Sequence, residues 1–161
     1  MCPFPKALIV LFAIWIIGIL IMFFATLQNF YKNQKVQCTV AKTIWLEARG
    51  EGYVGMEAVA TVIYNRSVRR KLSLVAVCLQ EKQFSCWNKQ VPKNVRAYNT
   101  LGGGYNWDNA RRLAGCLLRP DFEPMDTWTH YYNPDKCTPY WASQLTNKVR
   151  IGHHIFGTID E

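Results

Sequence analysis

Between Lys6 and Lys32 lie twenty-five residues without a charge, among them the run ALIVLFAIWIIGILIMFFA. About twenty apolar residues carry an α-helix across the hydrocarbon of a bilayer, so residues 7–26 are expected to span a membrane. A cleavable signal core is shorter, roughly 7–15 residues, and is followed by a small-residue cleavage site. This run is longer and no A-x-A-like site follows it, which favours an uncleaved signal anchor. Lys6 stands before the span, and Lys32 and Lys35 stand just beyond it. Taken alone, that asymmetry leans slightly against export of the remainder.

The polar stretch LQNFYKNQKVQ, residues 27–37, reads as a linker, so the chain divides into an anchor and linker (1–37) and one globular domain (38–161). With 161 residues in all there is no room for a second full domain. The net charge is +8, and the three lysines of the first 37 residues leave sixteen basic against eleven acidic residues for the domain. A basic surface suits a polyanion such as nucleic acid, anionic lipid or an acidic wall polymer; export removes nucleic acid from that set. Cys38, Cys78, Cys86, Cys116 and Cys137 all follow the anchor. In an oxidising compartment four of them can form two bridges, and in a reducing one they are buried thiols.

Helical spacing runs through Val40, Ala41, Ile44, Trp45 and Ala48, breaks at Gly50 and Gly52, and resumes at Met56, Val59, Ala60, Val62 and Ile63. This predicts two helices joined by a glycine turn, the second ending near RSVRRK and forming the central core helix. The segment QEKQFSCWNKQVPK reads as a loop, Asn94–Leu101 as a short helix, and Asp108 as the cap of a helix that stops before Pro120. The tail, with TWTHYYNP, TPYWA and VRIGHHIFGTI, predicts a small antiparallel sheet. The fold class is therefore α+β: a transmembrane helix, then a mainly helical domain with a small sheet.

Three glutamates stand close together at 47, 51 and 57. Glu57 reads as a solvated acid, and Glu51, in the glycine turn, meets the positive end of the following helix. Glu47 sits at a helix end beside Trp45 and Leu46, where apolar walls can keep a carboxyl group protonated near neutrality. Such an acid can donate a proton to a glycosidic oxygen; the competing reading is an ordinary helix-end acid. His130, His153 and His154 with Asp126 have no zinc-site spacing, and neighbouring histidines in a strand point to opposite faces. Cys86 with a histidine is a possible thiol nucleophile. Of the rings of Trp87, Tyr105, Trp107, Trp128, Tyr131, Tyr132, Tyr140 and Trp141, most read as core or loop packing and some can offer flat faces to sugars, while Asn133 can offer an amide to an acetamido group. The GGG at 102–104 lacks the lysine and context of a phosphate loop.

Several blocks together, in order and spacing, resemble the SleB/CwlJ-type cell wall hydrolases, a family of spore-cortex lysis also encoded by proteobacteria and phages. They are EARGE (47–51), Gly55, AVA (58–60), NR (65–66), QFSCWN (83–88), THYYNP (129–134), PYWA (139–142) and IGHHIF (151–156). The resemblance implies a lysozyme-like domain that cuts peptidoglycan glycan strands between N-acetylmuramic acid and N-acetylglucosamine. It implies lytic transglycosylation, with Glu47 as the catalytic acid and no metal or cofactor. Polar groups inside the matched blocks, Gln83, Tyr131, Asn133 and Glu51, are the expected substrate contacts.

That activity places the domain on the periplasmic or extracytoplasmic side of an inner membrane and makes a bridge such as Cys78–Cys86 an expectation. The sequence departs from the family pattern at Gly52, Met56 and Gly157. Other readings are a muramidase using Glu51 or Glu57 as second carboxylate, a Cys86–His peptidase, and a non-catalytic wall-binding protein.

Overall fold

The computed structural model describes residues 6–88 and 104–159. Cα packing divides the chain between Lys35 and Val36 into two units. The first belongs to helix α1 (Lys6–Ala48), whose mean hydropathy reaches 2.8 over an 18-residue window. Its Leu11, Phe12, Met22 and Phe24 side chains are all more than 60% exposed. By length and composition this helix is long and apolar enough to cross a membrane. The stretch 27–37, read as a linker, is helical. Between Gly18 and Gly50 there is no glycine or proline to interrupt the backbone ladder, and polarity alone does not end a helix.

In the second unit the end of α1 is followed, across Arg49–Glu51, by α2 (Gly52–Arg70). Gly52 takes a left-handed backbone (φ 70°), and Lys71 closes α2 in the same region (φ 53°). Met56, Ala58, Val59, Ala60, Val62 and Ile63 are all fully buried, so α2 is the central core helix, as its spacing predicts. Each larger aliphatic side chain among them contributes about 1.5–3 kcal/mol of burial. Val40, Ala41 and Ile44 of α1 belong to the same core.

Helix α3 (Leu74–Leu79) starts at Ser73, whose hydroxyl accepts from the Ala76 amide, and is followed by a 3-10 turn at Ser85–Trp87. Helix α4 (Tyr105–Cys116) adds Ala110, Leu113 and Ala114 to the core. Asp108, expected as its cap, lies in its first turn, where a carboxylate still meets the positive helix end. The expected helix at Asn94–Leu101 lies outside the described residues.

The tail forms an antiparallel sheet in the order β1–β3–β2, from β1 (His130–Tyr132), β2 (Thr146–Ile151) and β3 (His154–Thr158). Tyr131 pairs with Phe156, and Phe156 with Val149. The register is irregular between Thr146 and Val149, and the Thr146 carbonyl lies 2.9 Å from where a Cβ at Gly157 would stand, which gives that departure from the family pattern a local reason. The sheet is strapped to α2. Asn65 Nδ2 donates to the carbonyls of Asp126 and Trp128, both at 2.8 Å, and Arg66 Nε donates to the Thr129 carbonyl at 2.6 Å. Side chains thus satisfy the irregular strand that leads into β1, and Tyr131 is fixed relative to the core helix.

The expected disulfides are not formed: Cys38, Cys78, Cys86, Cys116 and Cys137 are free thiols. Cys78 is sealed in the core and Cys38 and Cys137 are exposed, while Cys86 turns its amide toward Glu47.

Candidate active site

Glu47 occupies the last turn of α1, half-buried, and its carboxylate gathers three donors from two other segments. Oε1 accepts from Ser85 Oγ and from the Cys86 amide, each at 3.1 Å, and Oε2 accepts from the Tyr131 hydroxyl at 3.0 Å. The 3-10 turn that supplies the first two is pinned one helical turn earlier. Trp87 Nε1 donates to Thr43 Oγ1 at 2.9 Å, and Thr43 Oγ1 donates to the Thr39 carbonyl at 3.0 Å. Tyr131 comes from β1, with its ring stacked on Phe156 at 5.3 Å and edge-on to His154 at 5.4 Å. Helix, turn and strand therefore converge on one carboxylate.

Burial first, and the Glu47 carboxylate next, push the Tyr131 hydroxyl well above its ordinary range, so it remains a protonated donor. The same two causes push the Cys86 thiol far up, and burial pushes Cys78 up to about 11. A thiol held protonated is a poor nucleophile, which weighs against the Cys86–His peptidase reading. Cys86 serves the site through its backbone N–H.

Glu51 has a different setting from Glu47. Its side chain is 10% exposed, and its Oε2 accepts from the His153 amide at 2.8 Å. The His153 ring nitrogen Nδ1 lies 3.2 Å from both carboxylate oxygens, and His154 Nδ1 lies 3.5 Å from Oε1. Burial opposes ionisation of Glu51, but the His153 hydrogen bonds and the histidine charges outweigh it and hold the carboxyl below its ordinary value. His154 is held low chiefly by burial, against the charges of Glu51 and Glu47. Both rings reach one carboxylate because His153 lies in the β2–β3 turn and only His154 in the strand, so the expected opposite-face geometry does not apply. Gly152, in that turn, has φ 57°, and a Cβ there would overlap Glu51 Oε2. His130 and Asp126 are engaged elsewhere, His130 with Thr129 and Trp141, and Asp126 with Thr127 and Asn147.

Glu47 opens onto a groove of about 940 Å³ that is also lined by Glu51, Gln83, Tyr131 and Asn133. Its lining is also aromatic, with Tyr132 edge-on to Trp141 at 5.8 Å and Tyr140 90% exposed. Asn133 Oδ1 accepts from the Asp135 amide at 2.9 Å, so part of this side chain shapes its own turn. Gln83 Oε1 lies 3.5 Å from Arg70 Nη1. Arg49, Arg66, Lys82 and Lys136 also line the groove, none of them singled out by the sequence. Ser85 and the Cys86 amide were missed as well. A backbone donor leaves no residue-type signal, and a lone serine carries almost none.

The sequence profile of the cell wall hydrolase family matches residues 50–157, beginning three residues after Glu47. Spore cortex-lytic enzymes are similar over most of this chain. That of Halalkalibacterium halodurans is 32% identical over 78% of the chain, that of Oceanobacillus iheyensis 30% over 78%, and that of Bacillus subtilis 28% over 82%. The chain spans 35%, 42% and 40% of those proteins. Among solved structures, the catalytic domain of the germination-specific lytic transglycosylase SleB from Bacillus anthracis superposes with a TM-score of 0.60 at 24% identity, covering 78% of this chain and 95% of that domain. The SleB catalytic domain of Bacillus cereus gives 0.59. A family match over two thirds of the residues, ending within β3 of the sheet that delivers Tyr131, establishes that this chain belongs to the cell wall hydrolases.

Proposed function

We propose that this chain cleaves peptidoglycan glycan strands between N-acetylmuramic acid and N-acetylglucosamine by lytic transglycosylation, with Glu47 as acid and then base. One observation carries the reading: of the two carboxylates lining the groove, Glu47 meets only uncharged donors, Ser85, the Cys86 amide and Tyr131, while Glu51 is committed to His153 and His154. Glu57 is not part of the lining. Hydrolysis in the lysozyme manner uses a second carboxylate as nucleophile or base. With only one available, an attack by a hydroxyl of the substrate itself fits better.

The two oxygens of Glu47 are not equivalent. Oε1 faces the Cys86 amide, which can only donate, so this oxygen must stay an acceptor. Oε2 faces only a tyrosine hydroxyl, which can turn and accept, so the catalytic proton rides on Oε2. That proton passes to the glycosidic oxygen as the muramyl C1–O bond breaks. The carboxylate left behind is held by Ser85, the Cys86 amide and Tyr131. Glu47 then takes the proton of the muramyl 6-hydroxyl, whose oxygen closes on C1 to give the 1,6-anhydro ring. No water is consumed and Glu47 ends protonated as it began.

Tyr131 acts in this scheme as a positioning residue for Glu47. Gln83, Asn133 and the aromatic lining contact the strand. Glu51 shapes the floor of the groove through the β2–β3 turn. Because peptidoglycan lies outside the cytoplasm, residues 7–26 anchor the chain in an inner membrane and residues 38–161 act on its outer side. The test is incubation of sacculi with the protein and its Glu47→Gln variant, followed by mass spectrometry of released fragments. Anhydromuramyl ends from the unmodified protein alone are expected; reducing muramyl ends, or freed peptides, would sink the reading.

A further inference from the structure

The groove's charge is out of proportion to the reaction proposed for it. Cleaving a glycosidic bond by a single carboxyl group needs no cation, yet Arg49, Arg66, Lys82 and Lys136 line the groove against Glu47 and Glu51. Two of the four have structural work that explains them. Arg66 is 5% exposed and its Nε meets the Thr129 carbonyl, and the Arg49 guanidinium sits over the Trp45 ring at 4.6 Å.

Lys82 and Lys136 have no such explanation. Both are exposed, and among the described residues neither has a carboxylate within salt-bridge distance. They reach the groove from two separate turns, each closed by backbone bonds: Gln83 N to the Gln80 carbonyl at 3.2 Å, and Lys136 N to the Asn133 carbonyl at 3.1 Å. Lys136 is close enough to His154 for its charge to help keep that ring neutral. Acetamido sugars are uncharged, so the glycan backbone gives these cations nothing to meet. The lactyl arm of muramic acid does, because it ends either in its own carboxylate or in a peptide that bears carboxylates.

We propose that Lys82 and Lys136 form a carboxylate-recognition site for the lactyl-arm substituent of the bound strand, so that the groove selects anionic over neutral glycan. The inference rests on the strand-binding reading above but not on which bond is cut.

Its test is binding by the full chain in detergent micelles, in the Glu47→Gln background so that no turnover intervenes. Three soluble strand preparations are titrated: peptide-bearing, peptide-stripped with free lactyl carboxylates, and peptide-bearing with all carboxyls converted to neutral amides. Two partly screened ion contacts should make amidated strands bind about tenfold more weakly, a gap that narrows in high salt. Adding Lys82→Gln and Lys136→Gln should weaken binding of carboxylate-bearing strands by the same factor and leave amidated strands unchanged. A penalty on peptide-bearing strands alone assigns the peptide carboxylates, and one on stripped strands alone assigns the lactyl carboxylate. Equal binding of all three preparations, or a lysine penalty that persists on amidated strands, overturns the proposal. Turnover by the unmodified chain, measured separately, keeps failure of the cleavage reading distinct.

Discussion

Replacing Tyr131 by phenylalanine removes one hydroxyl, the partner of Glu47 Oε2 at 3.0 Å, and little else. The ring keeps its stack on Phe156 at 5.3 Å and its edge contact with His154, so folding stability should change by less than about 1 kcal/mol. A hydrogen bond to an ionised acceptor contributes about 1.5–3 kcal/mol, and about 1.4 kcal/mol is tenfold in rate. The loss in kcat should therefore lie between about 10- and 150-fold, nearer the lower figure, because Glu47 borders the open groove and water can replace the lost donor. Glu47→Gln removes the proton itself and should cost about a thousandfold or more. The assay is release of anhydromuramyl ends from sacculi over a range of substrate concentrations, beside thermal unfolding of both proteins. The expected pattern is a fall in kcat with KM and melting temperature little changed. A Tyr131→Phe protein within twofold of the original in kcat would refute the assignment of the proton to Oε2 and of Tyr131 as its holder.

Three further outcomes follow from the same geometry. Cys86→Ala should keep activity within about threefold, since the amide and not the thiol meets Glu47, and thiol alkylation should be equally harmless; abolished activity would revive the nucleophile reading. Gly152→Ala meets both a left-handed backbone (φ 57°) and an overlap with Glu51 Oε2, so thermal denaturation should show a loss of about 1–3 kcal/mol. Stability should also depend on pH in two steps. His154 titrates lower folded than unfolded, so the unfolded chain binds more protons below about pH 6.5 and stability falls as pH drops through that region. Glu51, also held low, adds a second loss below about pH 4.5. Melting temperatures measured from pH 8 to 4 should be level at first and then descend, and His154→Gln should remove the first descent.

The helical part of this fold was legible because the signals are periodic. Met56, Val59, Ala60, Val62 and Ile63 mark α2 as buried on several sides, and Gly50 and Gly52 mark the turn before it. That residues 27–37 are helical was not legible, because composition reports solvation, while helix continuity depends on the absence of a breaker. The bridges failed for a different reason: cysteine number shows that pairing is possible, and only the packing shows that Cys78 is enclosed while Cys137 is not. At the site, Glu47 stood out by its place at the end of an apolar helical face. Tyr131 stood out as a groove residue, but its hydrogen bond to Glu47 did not, because it lies 84 residues away and reaches it only after Asn65 and Arg66 have tied the irregular strand to α2.

Those straps give the asparagine and arginine at 65 and 66 a part in positioning the candidate site. A carboxyl group proposed to act as acid and then as base has to meet the same partners in both states, Tyr131 accepting from the protonated Oε2 and donating to the carboxylate, so those partners cannot drift between steps. Ser85 and Cys86 are held to α1 through Trp87 and Thr43, which moves them with Glu47. Tyr131 has no such local tie. Its position depends on Asn65 and Arg66 on one side and on the pairing of Tyr131 with Phe156 on the other. Loss of the Asn65 amide leaves two carbonyls without their donor, at about 1–3 kcal/mol each, and lets the strand that carries Tyr131 shift. The core helix of this domain is thus also the frame of its candidate active site: α2 fixes how far β1 stands from α1, and that spacing fixes the hydrogen bond on Oε2.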